Sequence, residues 1–152
     1  MACQVGAAVA TDDPGILALV GAFGRHVGVV AQLRYDLAGI ASDGAQRGTD
    51  LRRKKKTLPI TYALRCAEEE GIVDILSWYH GSIALSERDE ACLAALIRDL
   101  GAVHYTRVVA DTHRREALVT LQRLVQVMGK EGVSRLGRLV PTIRRRVRKE
   151  PP

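Results

Sequence analysis

From Ile16 to Val30 the sequence is apolar almost all round, interrupted by Arg25 and His26. A run of that kind reads as a helix enclosed by neighbours at the centre of a bundle, since a helix packed on one side alone shows a polar face. It is bounded in front by Thr11-Asp12-Asp13-Pro14, where Asp12 or Asp13 can cap the helix and Pro14 occupies its first turn, and it extends from about Gly15 to Ile40. Gly21, Gly24 and Gly28 lower its propensity and let neighbouring helices approach closely. Aromatic residues are only 4% of the chain and apolar positions recur at helical spacing, so the fold class predicted is all-α.

The rest of the chain reads in the same way. A short helix spans Ala2 to Ala10, and Ser42 to Lys56 is a charged surface loop. Thr57-Leu58-Pro59 is a cap and first-turn signal for a helix to about Glu70, followed by a helix from Val73 to His80 and a turn at Gly81. Ser86-Glu87-Arg88-Asp89 is a capping signal for a long helix to about Thr112, and a further helix runs from Arg114 to Met128 before Gly129 breaks it. The chain reads as a single domain, 1–152, in which 137–152 is a frayed basic tail.

Composition bounds the partners. Lys and Arg number 23 against 17 Asp and Glu, a net charge of +6, so an anionic partner fits in sign. The terminal run Arg144 to Lys149 has no interleaved aromatics, so nucleic acid is not expected, while peripheral contact with a membrane surface stays open. Cys3, Cys66 and Cys92 are odd in number and far apart, which reads as small reduced core residues, and Trp78 and Tyr105 read as core aromatics. His26, His80, His104 and His113 form no pair at metal-ligand spacing. No secretory signal is visible and Arg25 interrupts the apolar run short of the roughly 18 residues that span a bilayer, so the expected location is cytoplasmic.

The chemistry is concentrated between Phe23 and Leu64. Gln32 and Asp36 are four apart and share one helix face near its carboxyl end. The following loop supplies Gly48-Thr49-Asp50 and the basic run Arg52-Arg53-Lys54-Lys55-Lys56. A carboxylate able to hold magnesium beside clustered lysines is what diphosphate binding requires, because the metal bridges oxygens and the ammonium groups neutralise the remaining charge.

These residues resemble the trans-isoprenyl diphosphate synthases, the polyprenyl synthetase family. The family's second aspartate-rich helix reads F-G-x-x-L-G-x-x-F-Q-x-x-D-D-x-x-D and its loop G-x-D-x-x-x-G-K-x-T-x-P. Phe23-Gly24, Val27-Gly28 and Gln32 fall on the first pattern, and Gly48, Asp50, Lys55 and Thr57-Leu58-Pro59 on the second. Gly6-Ala7, Leu100-Gly101-Ala102 and Ala110 through Ala117 to Leu121 resemble flanking helices more weakly. The second motif departs from the family: D-D-x-x-D is Tyr35-Asp36-Leu37-Ala38-Gly39, so one carboxylate of three survives, and one cannot hold the metal as three do.

The resemblance implies an isoprenoid-synthase helical bundle in part, the carboxyl-terminal half, without the family's first aspartate-rich motif. It implies a magnesium ion at Asp36, diphosphate at Lys55, supporting roles for Gln32 and Asp50, and a prenyl chain flanked by Phe23, Val27 and Ala31. No catalytic residue is assigned with certainty. The implied partners are allylic and isopentenyl diphosphates and a second subunit, identical or different, over an apolar face expected at Val20, Val27 and Val30. Three readings remain open: a prenyltransferase half that works only with a partner subunit or an amino-terminal segment, a non-catalytic regulatory or binding subunit of the same fold, and a small basic helical protein that binds nucleic acid.

Overall fold

A computed structural model describes residues 2–40, 49–81 and 85–141. The order is α1 (Ala2–Ala8), α2 (Pro14–Ile40), α3 (Thr49–Arg52), α4 (Leu58–Glu70), α5 (Val73–His80), α6 (Glu87–Asp99), α7 (Ala102–Val133) and a 3-10 turn at Leu136–Leu139. Among the described residues there is no strand, and the fold is all-α. The chain divides into two compact units, the first made of Met1–Val30 with Ala110–Pro152 and the second of Ala31–Val109.

In the first unit, Asp13 is the residue that opens α2: its Oδ1 accepts from the backbone N–H of Gly15 at 2.7 Å and of Ile16 at 3.2 Å. Phe23 and Val20 on α2 pack with Ala117 and Leu124 on α7, and Val133 closes the cluster. Phe23 is fully enclosed, and burial of a side chain of this size contributes about 3 kcal/mol. Helix α1 lies close because Gly21 and Gly24 have no Cβ: one built at Gly24 would stand 2.9 Å from the Cys3 Sγ, and one at Gly21 would overlap the Gln4 side chain. Gly28 has nothing within 4 Å of that position, so the close approach expected there does not occur.

The exposed apolar face expected on α2 does not occur either. Val20 and Val30 are buried, and Val27 packs against the Phe23 cluster, so the chain covers this face itself. Over its most apolar 18 residues α2 has a mean hydropathy of 1.6, so by length and composition it could cross a membrane despite Arg25. Core helices of soluble bundles have the same property.

The second unit is built on α4 and α6. Ile60, Ala63, Leu64 and Ala67 recur at three- and four-residue intervals on α4, as Glu90, Leu93, Ala94 and Ile97 do on α6. These stripes enclose Ile75 and Trp78 of α5 and Leu51 of α3. Trp78 is therefore a core aromatic as expected. Tyr105 is not: it is exposed and stacks on Tyr62 with ring centroids 4.4 Å apart. The three cysteines are free, Cys3 and Cys66 half-buried and Cys92 exposed, so Cys92 is not a core residue.

Two boundaries differ from the sequence reading. The helix expected to run unbroken from Ser86 to about Thr112 ends at Asp99, because Gly101 turns the chain with φ 76°, a conformation that costs a side chain energy and glycine none. The break expected near Arg114 is absent, and α7 continues through it to a kink at Gly129, φ 75°. The expected loop from Ser42 to Lys56 contains α3, and its 42–48 portion lies outside the described residues. The tail expected at 137–152 begins as the 3-10 turn, and its remainder from residue 142 lies outside them.

The Ser86 signal forms a full capping box. The Asp89 backbone N–H donates to Ser86 Oγ at 3.2 Å, and the Asp89 carboxylate accepts from the Ser86 hydroxyl at 2.6 Å and the Ser86 backbone N–H at 3.0 Å. Those bonds, the hydroxyl first, hold the Asp89 carboxyl below its ordinary value. A depressed folded-state pKa stabilises above the unfolded value, near 4, and that stability disappears as pH falls through the folded value. Asp89→Asn is therefore expected to melt lower than wild type at pH 6, with the gap closing by about pH 2. A gap that stays constant from pH 6 to pH 2 would show that the ionised carboxylate is not what stabilises α6.

Candidate functional site

The carboxyl end of α2 and the segment from Asp50 to Thr57, all in the second unit, bring the predicted residues together in two pairs. On α2, Gln32 Nε2 donates to Asp36 Oδ1 at 2.8 Å, as the four-residue spacing dictates. Gln32 is exposed, while Asp36 is only 6% exposed. A buried carboxylate ordinarily has a cation or several donors beside it, since burying an isolated charge costs several kcal/mol. Among the described residues the neutral amide of Gln32 is the one hydrogen-bond partner of Asp36.

In the second pair, Lys55 Nζ lies 2.6 Å from Asp50 Oδ1. Asp50 is buried and the Lys55 side chain is half exposed, so the carboxylate anchors an ammonium group that still faces solvent. Their backbones are joined as well, Lys55 N–H donating to Asp50 O at 3.0 Å across the end of α3. The Asp50 carboxylate in turn rests on Gly39: a Cβ built there would overlap its Oδ2 and Cγ. Position 39, where the family motif has its third aspartate, is thus filled by a carboxylate reaching in from the loop. Position 35, where the motif has its first, is a tyrosine that is 65% exposed.

The basic run divides by role. Arg52 forms a fork with the buried Glu90 of α6, its Nη2 donating to Oε2 at 2.9 Å and its Nε to Oε1. Glu90, by hydrogen bond and by charge, raises the pKa of Arg52. Lys54 Nζ donates to the carbonyl of Gly81. Arg53 and Lys56 are exposed and make no ion pair with a described residue, so with Lys55 they are the cations of this run available to an anion. The spacing of the run did not distinguish Arg52 from its neighbours. Glu90 in the buried stripe of α6 was the available signal, since a carboxylate there needs a partner.

Two other expectations change. Thr57 precedes α4 with extended backbone, but its side chain accepts no capping bond, and its buried Oγ1 has no hydrogen-bond partner among the described residues. Phe23 lies inside the first unit's core and cannot flank a prenyl chain. Gly48 lies outside the described residues.

Among the described residues no group of three or more His, Cys, Asp or Glu side chains could hold a metal ion. Magnesium commonly takes one or two protein carboxylates and completes its shell with water and substrate phosphates. Asp36, buried and paired among the described residues with an amide alone, fits that smaller demand; Tyr35 and Gly39 leave the motif without its other two carboxylates.

The chain matches no family model. It is 31% identical over 128 residues to a geranylgeranyl diphosphate synthase of Mycobacterium tuberculosis, covering 82% of this chain and 36% of that protein. It is 34% identical over 130 residues to a geranylfarnesyl diphosphate synthase of Aeropyrum pernix, covering 83% and 39%. A short chain isoprenyl diphosphate synthase of Methanothermobacter thermautotrophicus is 27% identical over 146 residues, covering 91% and 43%. The chain thus spans about two fifths of the length of these curated relatives. Proteins of one activity class from bacteria and archaea align over most of its length, and the loop that carries the motif also carries the Asp50–Lys55 pair: the chain belongs to the trans-isoprenyl diphosphate synthase family.

Proposed function

We propose that this chain supplies one diphosphate-binding wall of a prenyltransferase site of isoprenoid biosynthesis, where an isopentenyl unit is joined to an allylic diphosphate. The observation that supports this reading best is the buried carboxylate of Asp36 with a neutral partner, one helical turn from the Gly39 surface on which Asp50 holds Lys55. A cation bound at Asp36 and an anion bound at Lys55 satisfy both at once, and a magnesium diphosphate is that combination.

The roles follow from the contacts. Lys55, with three N–H donors and one directed at Asp50, can give the others to phosphate oxygens. Arg53 and Lys56 add positive potential that draws the anion in. Asp36 would take one position on magnesium, Gln32 fixing the carboxylate through Oδ1, and the bound metal would neutralise charge on the departing diphosphate. The remaining carboxylates of the reaction come, in this reading, from a segment outside these 152 residues, in a cytoplasmic setting. A regulatory or binding subunit of the same fold is the second reading, favoured by Tyr35 and Gly39 at two motif positions.

Titration with inorganic pyrophosphate and magnesium tests the assignment. Lys55→Ala is expected to bind about 10- to 100-fold more weakly, as for one charge-assisted bond of roughly 1.5–3 kcal/mol. Lys54→Ala is expected to bind nearly as wild type, its ammonium being committed to Gly81. Asp36→Asn should keep metal-free pyrophosphate affinity and lose the gain from magnesium. Equal affinity of Lys55→Ala and wild type would remove Lys55 from the site, and a full magnesium effect in Asp36→Asn would favour the regulatory reading.

A further inference from the structure

Two histidines that sequence spacing leaves unconnected meet in the first unit. His26 of α2 and His113 of α7 approach edge to edge, Nδ1 to Nδ1 at 2.9 Å, with ring centroids 5.1 Å apart and planes inclined by 42°. Both rings are half-buried, and neither makes another side-chain hydrogen bond among the described residues. Each lies one turn from the unit's core: His26 follows Phe23 by three residues and His113 precedes Ala117 by four, both of those fully buried. Packing therefore fixes where the two imidazoles are held.

An imidazole Nδ1 carries either a proton or a lone pair. Two of them in contact are satisfied by one shared proton or by a cation that accepts both lone pairs. Bonds of 2.0–2.1 Å from two imidazole nitrogens to a tetrahedral metal place those nitrogens about 3.3 Å apart. Opening the observed contact by a few tenths of an ångström reaches that separation.

We propose that His26 and His113 form a two-imidazole site for a borderline divalent transition metal, the class of Ni2+, Zn2+ and Cu2+, which clamps α2 to α7 in the first unit. Imidazole suits these ions, whereas magnesium selects oxygen ligands, so the site is chemically separate from the one proposed at Asp36. No third His, Cys, Asp or Glu joins the pair among the described residues, so water completes the coordination.

Ni2+ is the probe to use, because it suits imidazole while the three free cysteines compete more strongly for Zn2+. With the full chain stripped of metal, calorimetric titration should give wild type an affinity for Ni2+ at least tenfold above that of His26→Gln or His113→Gln, since each variant loses the chelate. His80→Gln and His104→Gln should bind as wild type. Wild-type protein also carries a test that needs no substitution: bound Cu2+ should show coupling to two imidazole nitrogens in its electron paramagnetic resonance spectrum. Equal Ni2+ affinity in wild type and both pair variants, or coupling to a single nitrogen, overturns the proposal and leaves the contact as a shared proton. Pyrophosphate binding is expected to be unchanged in either variant, so failure here is distinguishable from failure at Lys55.

Discussion

Arg52→Ala is expected to lower the stability of the chain, because it removes the cation that faces the buried carboxylate of Glu90. Glu90 is 5% exposed in the buried stripe of α6 that also holds Leu93 and Ile97, while the Arg52 side chain is 53% exposed. Without the guanidinium a carboxylate stays buried with nothing to pair it. The reverse change is cheaper, because an unpaired Arg52 can swing into water. Glu90→Gln should therefore cost less than Arg52→Ala, and the two measured by urea unfolding should differ in midpoint with a common slope. An unfolding midpoint for Arg52→Ala equal to that of wild type would mean that the fork acts as an exposed surface pair. Either outcome bears on the candidate site, since Arg52 adjoins Arg53 and Lys55 in sequence while its contacts tie α3 to α6.

Gly39→Ala is the second large effect, an expected loss of about 2 kcal/mol from overpacking. The new methyl would overlap the Asp50 carboxylate, which is held from the other side by Lys55. Displacing Asp50 also frees Lys55, so pyrophosphate affinity should change along with stability. Coupling is the decisive readout: in the double variant with Asp50→Ala the Gly39→Ala cost should fall by at least about 1 kcal/mol, because its obstacle is gone. Strict additivity of the two changes would rule the contact out. Gly39→Asp, which writes the family's third aspartate back into the motif, is expected to be worse than alanine, because it sets two carboxylates against each other. The motif in this chain cannot be restored by that one change.

The outlines of the fold were legible where local chemistry decides them. Pro14 and the Asp13 cap mark the start of α2, the Ser86 box marks α6, and Gly129 marks the kink, each through bonds within a few residues. Gly101 carries no such local mark, because Leu100-Gly101-Ala102 sits in an apolar pattern that reads as helix with or without a break. The cover over Val20 was likewise invisible: its cluster includes Ala117 and Leu124 of α7, distant in sequence, and burial by them has no signature in the pattern of α2 itself. At the site, Gln32–Asp36 and Asp50–Lys55 follow from spacings of four and five residues. The seat of Asp50 on Gly39, the fork of Arg52 with Glu90 and the meeting of His26 with His113 depend on tertiary packing, across 11, 38 and 87 residues.

Lys54 has φ 46°, in the left-handed region, at the place where the family loop pattern has glycine. A side chain there makes the folded backbone less comfortable by about 1 kcal/mol. Its bond to the Gly81 carbonyl works against that strain in the native state. A second compensation lies in the unfolded chain. A glycine would let the denatured ensemble roam through twice the backbone space at this residue, and lysine confines it, so folding surrenders less entropy in this chain than a glycine-bearing loop would. Loop strain and denatured-state confinement thus act in opposite directions at one residue, and the loop's stability is set partly by conformations it adopts only when unfolded.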